Sequence, residues 1–226
     1  MDCLARGRSL GRSHFMRGRH APAGSGDLSE ETWPDQKPAL PLRMPDWLLN
    51  PVTVGAFNSL YYNRQLGHFK SGLQRFGPYF YPLDFLRRWN LGYGARGFFQ
   101  YQCVLPPKDV RETSRALMEV VAASRQASIL VVVKMFGDVP SPGWLSFPRP
   151  GITFAIDFPN NGERTRRLFE DLDRIVDAAG GALYPAKDSF MTAAHFQRAY
   201  PRWRDLDCVR DPAFSSSFWR RVTQGS

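Results

Sequence analysis

Two hydrophobic periods alternate along the chain after residue 97, and this alternation limits the possible folds more than any other feature. Apolar residues at every second position predict a strand from Phe98 to Pro106, with Gln100 and Gln102 on the face opposite its apolar side chains. Apolar residues three and four positions apart predict two helices farther along. The predicted elements are, in chain order, a strand at 98–106, a helix at 107–124, a buried strand at 127–137, a strand at 151–159, a helix at 161–181 and a short strand at 182–185.

This order, β-α-β-β-α-β, is that of the ferredoxin-like split βαβ arrangement. We therefore predict the α+β class, in which two helices cover one face of an antiparallel sheet and leave the other face free to bind or pack. Pro201 and Pro212 interrupt the residues that follow the sheet, so we expect a tail of short helices there.

The first 65 residues divide by composition. Residues 1–20 are rich in arginine, and residues 21–46 are dense in proline, glycine and acidic residues without an apolar period, which indicates a linker. Residues 50–65 have a helical period, with Thr53 as the candidate N-cap. The apolar positions of this predicted helix are Val54, Phe57, Leu60 and Tyr61.

Charge and cysteine content narrow the classes of function. The net charge of +9 comes from 30 Lys and Arg against 21 Asp and Glu, which favours contact with an anionic group such as a phosphate, a nucleotide or a lipid head group. Three scattered cysteines and four scattered histidines form no disulfide framework and no metal-ligand spacing. No apolar run approaches a membrane span. We expect a cytoplasmic protein without a metal site, and association with a membrane surface stays open.

Polar residues on the predicted strands are the candidates for chemistry. Thr153 and Asp157 lie on one face of their strand because they are two strand periods apart. The antiparallel order could bring further polar groups to that face. A charged lysine beside an aromatic ring suits a planar, negatively polarised ligand. The other candidates are Gln102, Lys134, Tyr184 and Lys187.

Each candidate also has a purely structural interpretation. Lys134 could pair with Asp138 or Asp157, and Lys187 could form an exposed pair with Asp188. Gln102 could face water on an edge strand, and Asp157 is more typical of a structural carboxylate than of a catalytic one. The sequence contains no Walker A motif.

A series of motifs goes further than these patterns. They resemble, in the same order, the C-terminal half of FAD-dependent oxidoreductases of the vanillyl-alcohol oxidase superfamily, in particular the decaprenylphosphoryl-β-D-ribose oxidase type, and also sugar-lactone and alditol oxidases. The resemblance runs from about Asp2 to Val222. The motifs are "LGRSHFMRG", "FYPLD", "WNLGYGARGFFQYQCVLP", "VVKMFGD", "LSFPRPGITFAIDFP", "LDRIVDAAGGALYPAKDS" and "AYPRW".

The resemblance implies an activity and roles for particular residues. Such an enzyme oxidises a secondary hydroxyl of a sugar, a polyol or a polyprenyl-phosphate sugar by hydride transfer to FAD, with Lys187 stabilising the negative charge that develops and reaching both flavin and substrate. Tyr184 would lie beside the isoalloxazine. The substrate pocket would be lined by Gln102, Lys134, Phe136 and Thr153. Thr153 and Ala155 replace the asparagine and cysteine of the mycobacterial enzymes, so the pocket differs.

The resemblance also implies a domain organisation. Residues 1–20 would be the last edge of an FAD-binding domain, 21–46 a linker, 47–186 the substrate (cap) domain, and 187–226 a helical segment that returns towards the flavin. The rest of the N-terminal FAD-binding domain has no counterpart here, so a separately encoded FAD domain and a short-chain reductase are the expected partners.

Two other functions remain as alternatives. The chain could be a remnant or binding domain that keeps the cap fold and does not hold FAD alone. Split βαβ sheets with surface aromatics also bind RNA, but "GFFQYQCV" is a poor match to an RNA-binding strand, and we expect no nucleic-acid partner.

Overall fold

The computed structural model describes residues 1–25, 38–81, 86–188 and 190–224. Four strands and seven α-helices are present in these ranges, besides short 3-10 turns. The strands are β1 (Phe98–Leu105), β2 (Val131–Phe136), β3 (Gly151–Pro159) and β4 (Ala182–Leu183). The helices are α1 (Pro51–Asn63), α2 (Phe76–Phe80), α3 (Val110–Ser124), α4 (Glu163–Ala178), α5 (Ala193–Ala199), α6 (Trp203–Val209) and α7 (Ser217–Thr223).

The strands form one sheet in the order β2-β3-β1-β4, and each neighbouring pair is antiparallel. The connections β1-α3-β2 and β3-α4-β4 each cross over one strand, which places β1 and β3 side by side at the centre. This is the arrangement expected of a split βαβ fold. The predicted α+β class is therefore confirmed.

Helices α3 and α4 cover one face of the sheet with the apolar stripes that their periodicity predicts. Leu117 and Val121 of α3 and Leu172 and Val176 of α4 are fully buried. The Tyr101 hydroxyl of β1 donates a hydrogen bond of 2.9 Å to Asp173 of α4, which fixes Tyr101 on the helix side of the sheet. The remaining β1 side chains alternate from this point.

The prediction that 127–137 forms a buried strand is wrong for its second half. Among the described strands β2 lies at the edge of the sheet and pairs with β3 alone, and Val133 and Met135 are 39% and 80% exposed. Its β-branched sequence is what any strand favours, and sequence periodicity carries no information on which strand ends the sheet. Only the first residue, Val131, is buried.

Helix α1 begins at Pro51, three residues earlier than an N-cap at Thr53 would place its start. Asn50 is the N-cap, and its side chain accepts hydrogen bonds from the backbone N–H groups of Val52 and Thr53. Thr53 was the predicted cap, and it instead completes the capping box by accepting from the Asn50 N–H. Of the predicted apolar stripe only Val54 is buried.

The C-terminal tail consists of short helices, as predicted, and it packs against β4. Leu183 donates its N–H to His195 of α5 over 3.1 Å, and Tyr200 donates its hydroxyl to the Leu183 carbonyl over 2.6 Å. Phe196 and Val222 are fully buried between the tail helices and the sheet. These contacts join the tail to the edge of the sheet.

Residues at the chain start also join the core. The amino group of Met1 donates to the Val131 carbonyl over 3.0 Å, and Cys3 is fully buried beside Ser128. The predicted boundaries near residues 20, 46 and 186 remain predictions, and part of the predicted linker, 26–37, lies outside the described residues. In the described ranges, no helix combines the length and apolarity needed to cross a bilayer.

Candidate functional site

The sheet face opposite α3 and α4, called the site face below, gathers the polar strand residues. Tyr101 fixes the helix side of β1, so Gln100 and Gln102 lie on the site face. Directly paired residues share a face, and the register extends this assignment to the other strands. The site face thus carries Gln100, Gln102, Lys134, Phe136, Thr153, Ala155, Asp157 and Tyr184. The prediction that Thr153 and Asp157 share a face is confirmed.

Two rows of residues cross this face. In one row Gln102 pairs with Ala155, and the Gln102 carbonyl accepts the Tyr184 N–H over 2.9 Å. In the next row Thr153 lies between Val104 and Lys134. At about 4.8 Å per strand, β2 and β4 are separated by about 14 Å, which is the span of a fused-ring ligand or a sugar phosphate.

Lys134 presents a free cation at one edge of the site face. Its side chain is exposed and makes no ion pair with any residue in the described ranges. The proposed pairing with Asp138 or Asp157 is therefore wrong. Register explains the result for Asp157, because Lys134 stands opposite Thr153, four residues away from Asp157 along β3.

Thr153 is a buried hydroxyl without a partner. It is 3% exposed, and its Oγ1 atom has no hydrogen-bond partner among the described residues. An unsatisfied buried hydroxyl costs roughly 1–3 kcal/mol, so such groups are candidates for contact with a ligand. Its neighbour Lys134 adds a positive charge beside it.

The turn after β4 positions Tyr184 and Lys187. Pro185–Lys187 form a 3-10 turn in which the Lys187 N–H donates to the Tyr184 carbonyl over 3.0 Å. The proline fixes the backbone at the first position of this turn. As a result, the ring of Tyr184 and the ammonium of Lys187 are held on a short, rigid connection at the opposite edge of the site face from Lys134.

Lys187 does not form the surface pair with Asp188 that the sequence suggested. Asp188 instead pairs with Arg221 of α7 and accepts the Met191 N–H over 2.7 Å. The Lys187 side chain is exposed and has no ion-pair partner among the described residues. Its charge is nonetheless close enough to Asp157 to lower the pKa of that carboxyl.

An aromatic cluster connects the two edges. The ring of Tyr184 stacks on Phe147, with centroids 4.6 Å apart and an interplanar angle of 26°. Phe147 also meets Phe136 edge-to-face at 5.9 Å. Phe147 comes from the loop between β2 and β3 and was not predicted as a site residue. It was hard to find because a single apolar residue in a proline-rich loop has no periodic pattern around it.

Asp157 is the buried carboxylate of the site. It is fully buried, and Gln100 donates its side-chain amide to one carboxylate oxygen over 2.6 Å. Burial raises the pKa of Asp157 to about 6, although the Gln100 hydrogen bond, the Lys187 charge and the nearby Tyr93 hydroxyl each lower it. The second oxygen is buried without a hydrogen-bond partner in the described part of the chain. The sequence marked Asp157 but not Gln100 or Tyr93.

A shallow hollow of about 20 Å³, open to solvent, lies at the free edge of β1 below the short β4. Three predicted site residues, Gln102, Tyr184 and Lys187, line it, whereas Lys134, Phe136 and Thr153 lie outside its lining. Asp173 closes the hollow from the helix side. Burial and the neighbouring carboxylates Asp177, Asp188 and Glu170 raise the pKa of Asp173 to about 7.

The side chains of the site face determine which kinds of ligand it can bind. Two lysines without an ion-pair partner among the described residues stand at opposite edges of a face that carries amides, a hydroxyl and a stacked aromatic cluster. It can hold an anionic, hydroxylated or planar ligand by charge, hydrogen bonding and ring contact. In the described residues, the His, Cys, Asp and Glu side chains form no group that could hold a metal ion.

Comparison with known proteins finds several relatives, and two of them align with nearly the whole chain. The chain is 33% identical over 231 aligned positions to decaprenylphosphoryl-beta-D-ribose oxidase of Mycolicibacterium smegmatis, an alignment that covers 98% of this chain and 49% of that protein. It is 29% identical over 239 positions to an uncharacterized protein in the mprA 5′ region of Streptomyces coelicolor, covering 98% of this chain and 64% of that protein. No protein-family model matches the chain.

This chain is shorter than both of these relatives. The alignment covers nearly all of this chain, yet the chain spans only about half of the length of the oxidase. The similarity therefore extends over the whole sheet and tail, and it leaves half of the oxidase without a counterpart.

Proposed function

We propose that this chain supplies the substrate-facing part of an FAD-dependent oxidoreductase that oxidises a secondary hydroxyl of a sugar, a polyol or a polyprenyl-phosphate sugar. The observation that supports this most directly is the site face itself. Within the part of the chain that the structure describes, Lys134 and Lys187 have no ion-pair partner, and the buried Thr153 hydroxyl has no hydrogen-bond partner. The similarity to an oxidase named for a ribose substrate agrees with this chemistry.

The residues present fit a flavin at the Tyr184 edge. Tyr184 has one ring side on Phe147, and Lys187 projects from the same turn without an ion partner in the described ranges. Bound FAD would accept a hydride from the carbinol carbon of the substrate. The role of Lys187 is to stabilise negative charge nearby, and the proline-fixed turn sets the point on the backbone from which its flexible side chain extends.

The rest of the site face would orient the substrate. Gln102 offers an amide donor and acceptor for sugar hydroxyls, and Thr153 offers a hydroxyl that needs a partner. Lys134 is a point charge suited to a phosphate, and Phe136 provides an apolar wall at that edge. Ala155 is smaller than the cysteine expected at its position in the mycobacterial enzymes, so we propose a pocket that is wider there, and Thr153 presents a hydroxyl where those enzymes are expected to present an amide.

The proposal includes partners. The chain spans half of the length of the oxidase, so we propose that an FAD-binding domain completes the site, and that a short-chain reductase processes the oxidised sugar. The hollow at the β1 edge, which Lys187 lines, is where that domain would meet this chain.

Flavin titration tests the proposal. The purified chain is titrated with FAD, and binding is followed by the visible absorbance and the fluorescence of the flavin. We expect saturable binding that Lys187→Ala weakens by about tenfold, the value of one charge-assisted contact. Lys108→Ala is the matched control, since Lys108 is an exposed lysine ahead of α3 and should leave the titration unchanged.

A remnant or binding domain that does not hold FAD alone would show no flavin binding in this titration. A folded chain that shows no flavin binding, at any FAD concentration, would favour a remnant or binding domain that does not hold FAD alone. Equal weakening by Lys187→Ala and Lys108→Ala would mean that net charge, and not the turn after β4, governs the interaction.

A further inference from the structure

Residues 57–81, called the basic aromatic segment below, expose an unusual amount of apolar surface. Leu66 is fully exposed, and Phe69 is 84% exposed. Exposed large apolar side chains are common individually, but a run of them in one segment indicates an interaction site. The other exposed members are Phe57, Leu60, Tyr61, Tyr62, Leu73, Phe76, Phe80 and Tyr81.

The charges of this segment all have one sign. It contains Arg64, Lys70, Arg75 and a histidine, His68, and the sequence has no acidic residue from 47 to 81. The cations are interleaved with the apolar residues and do not form a separate polar face. Arg64 lies over the ring of Tyr61, 3.8 Å from its centroid, so a cation and an aromatic ring are presented together.

The local structure leaves these side chains free of the core. Helix α1 buries only Val54, and residues 64–75 between α1 and α2 form no helix or strand. Rings of the segment contact one another, such as Phe76 with Phe80 at 4.5 Å, and Tyr61 and Tyr62 also meet His14 near the chain start at 5.5 and 5.7 Å. Leu66 and Phe69, in the stretch between the two helices, are the most exposed apolar side chains of the segment and project from it as separate groups.

Such a surface fits a lipid bilayer better than a protein partner. A protein interface needs a packed, shape-complementary apolar centre, whereas an interfacial membrane site needs protruding Leu and Phe side chains among Lys and Arg. Long basic side chains can extend to anionic head groups while their stems and the neighbouring rings enter the apolar region. The absence of acidic residues removes repulsion from an anionic surface.

We propose that the basic aromatic segment seats this chain on the surface of an anionic lipid bilayer. Binding itself follows from the exposed residues and their charge. The functional purpose of membrane binding rests on the proposed function. A polyprenyl-phosphate sugar is anchored in a bilayer by its lipid, so an enzyme face that acts on this sugar must reach the membrane surface. The segment would hold the site face next to that lipid.

Vesicle flotation with the full-length chain tests this directly. The protein is mixed with vesicles that contain phosphatidylglycerol and, separately, with vesicles of pure phosphatidylcholine. We expect binding to the anionic vesicles that weakens as salt is raised. Leu66→Ser with Phe69→Ser should weaken it by at least about tenfold, because both side chains lose apolar burial. Arg64→Gln with Lys70→Gln should remove most of the salt dependence.

The matched control is Val209→Ser with Phe214→Ser, which removes two apolar residues, 68% and 77% exposed, from a different segment. This pair should bind as the unaltered chain does. Equal binding to neutral vesicles, no loss in the Leu66/Phe69 variant, or an equal loss in the control would each overturn the proposal.

Two further outcomes would also overturn it and would identify another occupant. A chain that does not float, but dimerises in sedimentation until Leu66 and Phe69 are replaced, would assign the segment to a second copy. A chain that neither floats nor dimerises would leave the segment to a protein partner. Vesicle binding is measured without flavin and the FAD titration without lipid, so either proposal can fail while the other stands.

Discussion

Asp173 shows how burial sets the behaviour of a single side chain. Its carboxyl accepts the Tyr101 hydroxyl and lies near Asp177, Asp188 and Glu170. Burial is the main cause that raises its pKa to about 7, followed by the neighbouring carboxylates. A raised folded-state pKa means that the folded state holds the proton more tightly, so this carboxyl stabilises the fold at low pH. That contribution is lost as pH rises through about 7.

Asp173→Asn should therefore stabilise the protein at pH 8 and change little at pH 4, since the amide keeps an acceptor for Tyr101 and carries no charge. We expect a gain of about 2 kcal/mol in the free energy of unfolding at the higher pH. Urea unfolding at the two pH values measures it, with Asp138→Asn, an exposed carboxylate, as the control. A gain of equal size at both pH values would contradict the assignment.

Phe147 is the residue that joins the two edges of the site face. It is 3% exposed and contacts both Tyr184 and Phe136. Phe147→Ala should lower the free energy of unfolding by about 3–5 kcal/mol, because it removes a buried ring and leaves a cavity. Phe214→Ala, at a position 77% exposed, should cost less than about 0.5 kcal/mol. Denaturant titrations of both variants decide the point, and similar costs would mean that Phe147 is not a core residue.

At the scale of the elements, the pairing of β1 with β3 depends on one glycine. Gly151 begins β3 at φ +145°, and a Cβ atom there would collide with the carbonyl oxygen of Leu105 at the end of β1. Gly151→Ala should cost about 2–4 kcal/mol, since backbone atoms cannot move aside as a flexible side chain can. Gly137→Ala has open space around it and should stay within about 1 kcal/mol of the parent. Thermal unfolding of the two variants compares them.

Hydrophobic periodicity predicted the strands and helices themselves but not their order in the sheet or the contacts made by loops. β1, β3 and the bodies of α3 and α4 were predictable because period-two and helical hydrophobic patterns are local properties of the chain. The edge position of β2 was not, because strand order depends on where the crossovers place each strand. Gln102, Lys134 and Thr153 could be placed on strands, and their common face follows from the register. The stack of Phe147 on Tyr184 required a loop to fold back over the sheet, and no local pattern encodes such a contact.

At the scale of the whole molecule, the C-terminal tail and the sheet should unfold as one unit. Tyr200 donates to the Leu183 carbonyl, His195 accepts the Leu183 N–H, and Trp219 packs against Phe196 within the tail. The pKa of His195 is lowered chiefly by burial. It is therefore neutral in the folded state, as its acceptor role requires, and its contribution is lost as pH falls through that lowered value. Leu183 of β4 therefore depends on both groups for its backbone hydrogen bonds to the tail.

Tyr200→Phe tests this coupling because it leaves the buried Leu183 carbonyl without its donor. We expect a loss of about 1–3 kcal/mol, with the sheet and the tail affected together. Far-UV circular dichroism and tryptophan fluorescence should give coincident unfolding curves in the parent and in the variant, both shifted to lower denaturant. Tyr61→Phe, on the exposed side of α1, should leave both curves in place. A fluorescence transition that separates from the dichroism curve in the variant would show that the tail is a domain of its own, docked on the sheet and not part of the same cooperative fold.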